Sequence, residues 1–194
     1  MAADLFASYL CGEMKDLSLQ PQSPPAQVVS GDGARSFRSL YDAEVGYVGR
    51  TLMRFGVERR DLDDVIQEVF IVVYRRRADY DAKRPLRPWL CGIAFRVASD
   101  WRRRAAQRDV PTEDVEPSAP EPTADRHLLA HEAVLQGLAG LSFEHRSAIV
   151  LCDLEGHTAA EAGALLGVPA GTIYSRLHEA RRAFVAAVRA KEAP

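Results

Sequence analysis

Between Tyr80 and Arg104 the chain interleaves four aromatic rings (Tyr80, Trp89, Phe95, Trp101) with arginines (Arg84, Arg87, Arg96, Arg102, Arg103, Arg104). Rings stack on unpaired bases and guanidinium groups hold phosphates, so this composition suits a single nucleic-acid strand. A second segment, Thr158 to Arg182, has the signs of a helix-turn-helix, which places a helix in the major groove of closed duplex. Surfaces for an open strand and for a closed duplex on one chain point to a process that opens DNA.

The residues do not carry equal weight. Trp89 follows Pro88 and is in phase with Ile93, so it reads as packing rather than stacking. Trp101 stands among Arg102 to Arg104, where an exposed ring would gain about 1–3 kcal/mol by stacking on a base. An arginine run is also a common solvated helix end, favoured by the dipole. In the second segment, burying Ile173, Leu177 and Phe184 turns Gly171, Ser175, His178 and Arg182 outward, flanked by Thr172, Tyr174, Arg176, Glu179 and Arg181. Hydroxyls, an imidazole and guanidinium groups of this kind meet phosphates or base edges.

Other constellations carry less. Asp61, Asp63, Asp64 and Glu68 lack the histidine or third inward carboxylate of a metal site, so a solvated or protein-binding face is expected there. His127 and His131 lack the glutamate of an HExxH motif and read as surface residues. There is no P-loop, GxGxxG or GxSxG, and no catalytic constellation suggests itself; no enzyme, cofactor or metal is expected.

Apolar periodicity predicts a helix over 37–55 and a second over 61–77, with Asp61 as its N-cap. A loop from Tyr80 to Arg87 precedes a third helix to about Arg104, with Pro88 at its first position. Trp89, Leu90, Ile93, Ala94 and Val97 would pack it on the first two. In the second half Asp125 and Ser142 are N-cap candidates for helices to Leu138 and Leu154, and Thr158 to Glu161 reads as a capping box. Gly167-Val168-Pro169 forces a turn, and a last helix spans about 170–188.

The expected fold is all-α. Two small helical domains, over 35–108 and 125–190, are joined by an acidic, proline-rich linker over 109–124, with a flexible tail over 1–34. The formal net charge of -2 hides segregation along the chain. Lys83 to Asp109 is strongly basic, whereas Val110 to Asp125 contains Glu113, Asp114, Glu116, Glu121 and Asp125 and no base. Cys11, Cys91 and Cys152 form no CxxC, no apolar run approaches the ~18 residues of a membrane span, and Asp4 replaces the positive start of a signal peptide. A cytoplasmic chain without membrane insertion is expected.

The motifs carry a resemblance. Asp61-Leu-Asp-Asp-Val-Ile-Gln-Glu-Val-Phe70, then Trp89-Leu-Cys-Gly-Ile-Ala94 and the arginine run, resembles region two of the extracytoplasmic-function (ECF) bacterial sigma factors. Gly167-Val-Pro-Ala-Gly-Thr-Ile-Tyr-Ser-Arg-Leu177, followed by Ala180-Arg-Arg, resembles their region four. The resemblance implies a transcription initiation factor whose partners are core RNA polymerase (β′ clamp helices and β flap), promoter DNA and an anti-sigma factor. It assigns Asp61, Asp64, Gln67 and Glu68 to core polymerase, and Tyr80, Arg84, Arg87, Arg96, Trp101, Arg102 and Arg103 to the melted −10 strand. Thr172, Tyr174, Ser175, Arg176, His178 and Arg182 fall to the −35 duplex, and the acidic linker to the polymerase channel. Arg96 stands where the family commonly has Asn, Tyr174 where a Lys is frequent, and Ala82 to Pro85 lack the usual glycine, so no promoter sequence carries over. A stand-alone helix-turn-helix regulator, with the N-terminal bundle used for effector or dimer contacts, is the alternative.

Overall fold

Helix-period apolar stripes produce three helices in the first half of the chain. In the computed structural model, which describes residues 33–108 and 134–192, these are α1 (Gly33–Phe55), α2 (Leu62–Arg76) and α3 (Leu86–Arg108). Leu40, Val48, Leu52 and Phe55 of α1 meet Val65, Val69, Phe70 and Val73 of α2 and Leu90, Ile93 and Ala94 of α3 in one buried core. Rings tie the upper end together: Phe37 packs edge-on to Phe70 and Tyr74, and Tyr41 lies 4.6 Å from Phe70.

Several element ends differ from the sequence reading. Helix α1 begins at Gly33, so the last two residues assigned to the tail are helical. Asp61 occupies the N-cap position of α2 but ends a 3-10 turn (Arg59–Asp61), and its side chain makes no capping bond. It lies 3.8 Å from Arg60 instead, an alternative partner for the carboxylate. Pro88 is the third residue of α3, not the first, because α3 starts at Leu86; its missing N–H costs nothing anywhere in the first turn. The linker, the Asp125 cap, His127, His131 and most of the tail lie outside the described residues.

The second unit consists of α4 (described over 134–139), α5 (Phe143–Ile149), α6 (Ala159–Leu166) and α7 (Ala170–Glu192). Ser142 caps α5 by accepting the His145 N–H. The helix expected to run on to Leu154 converts after Ile149 into a π turn (Val150–Leu154), closed by a hydrogen bond from Glu155 N–H to the Val150 carbonyl. Thr158 and Glu161 form the expected capping box on α6. Gly167 ends α6 at φ 70°, a left-handed position that suits glycine. Gly163 is needed for a different reason: a Cβ there would stand 2.6 Å from the Val168 carbonyl oxygen, so the tight turn needs bare backbone. Gly163→Ala is therefore expected to cost about 1–3 kcal/mol, measurable as a lowered urea midpoint. An unchanged midpoint would show that the turn relaxes freely.

Ile173, Leu177, Ala180, Phe184 and Val188 bury the inner face of α7 as its period demands. The two units, expected as separate bodies on a linker, pack against each other. Phe95 of α3 contacts Phe55 of α1 and stacks on Phe143 of α5, and Gly92 of α3 lies against Leu165 of α6. Among the described residues no helix is long and apolar enough to cross a membrane.

Candidate nucleic-acid interface

The outer face of α7 matches its sequence reading closely. Tyr174, Ser175, His178 and Arg182 are exposed, with Tyr174 at 67%. Ser175 donates its hydroxyl to the Thr172 carbonyl at 3.0 Å, which leaves its oxygen lone pairs facing out. Thr172 and Arg176 are half-buried. The helix is held by Arg181, whose guanidinium makes two bonds to Asp153 on the π turn at 2.6 and 2.9 Å. This paired geometry fixes the rotation of α7, and with it the direction of its exposed face.

The strand-binding candidates separate into two groups. Arg96, Arg102 and Arg103 of α3 are exposed. Arg103 pairs with Asp100 at 2.6 Å, and Arg102 lies 4.5 Å above the Phe143 ring. Arg84 is exposed in the loop and reaches Glu161 at 3.4 Å. Arg87, Tyr80 and Trp101 are half-buried and have partners within the chain. Arg87 pairs at 3.1 Å with Glu44, which is only 1% exposed, and covers the Tyr47 ring. Tyr80 donates its hydroxyl to the Arg84 carbonyl at 2.6 Å and packs on Trp89 at 5.2 Å, in accord with the packing role expected of Trp89. Trp101 is half-buried against the core rather than a free ring. Packing follows from phase: Trp101 lies four residues beyond Val97 and three beyond Ala98, both buried, so its ring falls on the inner face of α3.

On α2, Asp64 and Gln67 are exposed, and the stripe continues at the same phase through Ile71 and Tyr74, exposed at 50% and 46%. Sequence reasoning missed these two because they sit in an otherwise apolar run, Val69 to Tyr74, that reads as core. Glu68 is not free: Arg104 grips both its oxygens at 2.7 and 3.1 Å. Asp61 is partly buried beside Arg60.

Between the two units lies a groove of about 610 Å³ lined by Phe95, Arg96, Ser99, Asp100, Phe143, Glu144, Leu165, Leu166 and Arg176. A hydrogen bond from its own backbone N–H holds the Glu144 carboxyl below the usual range, assisted by Ser142, Arg102 and Arg176. Arg96 of α3 and Arg176 of α7 thus line one groove.

The order of the two units is that of a known family. A model of sigma-70 region 2 matches residues 40–108, and a model of sigma-70 region 4 matches 131–184. The ECF RNA polymerase sigma factor SigL of Mycobacterium tuberculosis is 32% identical over 162 residues, spanning 80% of this chain and 92% of SigL. The chain belongs to the ECF RNA polymerase sigma factors. Its fold agrees: CnrH, solved in complex with the cytosolic domain of CnrY, aligns over 86% of this chain and 95% of its own with a TM-score of 0.56 and 28% identity. The sigma factor RpoE of Bartonella quintana, solved with the anti-sigma factor NepR, aligns over 80% and 98% with a TM-score of 0.63; at 21% identity it supports the fold alone. Membership in a family of initiation factors replaces the stand-alone regulator as the reading of this chain.

Proposed function

We propose that α7 reads the −35 element as duplex, that α3 holds the melted −10 strand through Arg96, Arg102 and Arg103, and that Asp64 and Gln67 with Ile71 and Tyr74 dock on the clamp helices of core polymerase. The observation that carries this division of labour is the segregation of exposed side chains. Cations and hydroxyls sit on α3 and α7, and a mixed acid-apolar stripe sits on α2. The first surface meets phosphates and bases. The second has the apolar centre and charged border of a protein interface. Neither surface includes a group arranged for covalent chemistry, and the protein acts by binding. RpoE of Bartonella quintana was solved with the anti-sigma factor NepR and CnrH with the cytosolic domain of CnrY, and an anti-sigma partner for this chain would cover these same faces. A cytoplasmic place of action follows from the partners.

Reconstituted initiation is the test. Purified chain added to core polymerase should yield transcripts from a promoter fragment, with start sites mapped by primer extension; absence of transcripts at saturating chain would overturn the reading. Within that assay, Arg176→Ala should cost about 1–3 kcal/mol on promoters bearing a −35 element if it meets a base edge. If it meets a phosphate, the salt slope of binding should instead fall by about one. No change in either would mean that α7 presents a different face to DNA.

A further inference from the structure

The exposed face of α7 is polar except at one residue. Tyr174 is 67% exposed, the most open large apolar side chain among the described residues, and the other two, Ile71 and Tyr74, lie on α2. Its ring makes no ring contact, hydrogen bond or ion pair with any described residue. Tyr174 is the fifth residue of α7, within the N-terminal stretch that a recognition helix turns toward base edges. Along its own row of the helix its neighbours are Gly171 before it and His178 after it. A Cβ on Gly171 would meet nothing within 4 Å, so no other part of the described chain stands over this end of the helix, and the wall of a groove can reach the ring.

The fold does not use this apolar area, so all of it is available to a partner. In the reading of function given above, the partner of α7 is the major groove. Almost every group that the groove presents is a hydrogen-bond donor or acceptor; the thymine C5-methyl is the apolar exception. Ser175, His178 and Arg182 on the same face find complements at phosphates and at several bases, so they orient the helix without selecting one base. The tyrosine hydroxyl can likewise serve a phosphate. The ring has a single complement that depends on sequence.

We infer that Tyr174 is a specificity-determining residue of α7, its ring packing on the C5-methyl of a thymine in the −35 element. The inference rests on the reading of function given above and deepens it, from a helix face that meets duplex to a residue that selects a base pair. Ring and hydroxyl can be told apart, because contact with a methyl group follows the base whereas a bond to phosphate is the same at every sequence.

The test uses holoenzyme, reconstituted from the full chain and core polymerase, on the promoter fragment that it transcribes. Each thymine of the −35 element, on either strand, is replaced in turn by deoxyuridine, which removes the methyl and keeps every hydrogen-bonding group. At one or two positions the replacement should weaken binding about fourfold, the effect of one buried methyl group. Tyr174→Ala should bind the thymine and uracil fragments equally, no more tightly than the wild type binds the uracil fragment. Tyr174→Phe keeps the ring and should keep the ratio between the two fragments. Tyr174 is exposed, so neither substitution touches the core, and circular dichroism checks the fold. Indifference of the wild type to every thymine replacement overturns the inference, and so does a Tyr174→Ala variant that retains the wild-type ratio. Equal losses in Tyr174→Phe and Tyr174→Ala on both fragments would assign the residue to a phosphate through its hydroxyl, and overturn it as well. Wild-type holoenzyme that binds a fragment with the whole −35 element scrambled as tightly as the original would overturn the reading of α7 itself, a result obtained on a separate fragment.

Discussion

Arg87→Ala is expected to remove about 3–5 kcal/mol of stability, a large part of what a domain of this size possesses. The reason is Glu44, 1% exposed on α1, whose carboxylate depends on Arg87 Nε at 3.1 Å. Deleting the guanidinium leaves a buried charge without its counterion, and it also uncovers the Tyr47 ring, over which Arg87 lies at 4.9 Å. Urea unfolding followed by circular dichroism measures the loss. The double variant Glu44→Leu with Arg87→Met removes both charges at similar volume and should recover most of the stability, since the penalty lies in the unpaired partner rather than in the absent bond. Transcription by that double variant then decides Arg87's role. Activity near wild type assigns Arg87 to the fold, whereas a stable but inactive double variant would return it to the melted strand. A single Arg87→Ala variant within 1 kcal/mol of wild type would contradict the buried-pair argument.

Asp64→Arg should weaken binding to core polymerase by at least about 30-fold, the ~2 kcal/mol of an interface hot spot. Asp64 is exposed at the N-terminal end of the α2 stripe, so the substitution reverses charge without touching the core. Like charges brought together at an interface cost several kcal/mol, more than the loss of one favourable contact. Asp63→Arg is the matched control, because Asp63 is exposed one residue away, about 100° around the helix, and makes the same change in net charge. Ile71→Asp should resemble Asp64→Arg if the apolar part of the stripe is in the interface. Fluorescence anisotropy of labelled chain against core polymerase gives the affinities, and circular dichroism checks the fold. Equal affinities for Asp63→Arg and Asp64→Arg would remove the stripe from the interface.

The sequence by itself determined the helices, the Ser142 and Thr158 caps and the outward face of α7. Local physics suffices for these: Ile173, Leu177, Ala180 and Phe184 recur at helical spacing, and the Thr158 to Glu161 capping box satisfies orphan N–H groups within one turn. The tertiary structure alone decided which cations are free. Arg87, Arg96 and Arg104 look alike in a basic run, yet Arg87 neutralises Glu44 across 43 residues, Arg104 grips Glu68 across 36, and Arg96 is exposed. Only the structure showed that the two units share a junction, because Glu155 reaches Tyr47 across 108 residues through a π turn. No periodicity encodes such a pairing. A salt bridge between distant segments depends on where packing brings their helices, and burial of a carboxylate is tolerated only where that packing supplies its donors.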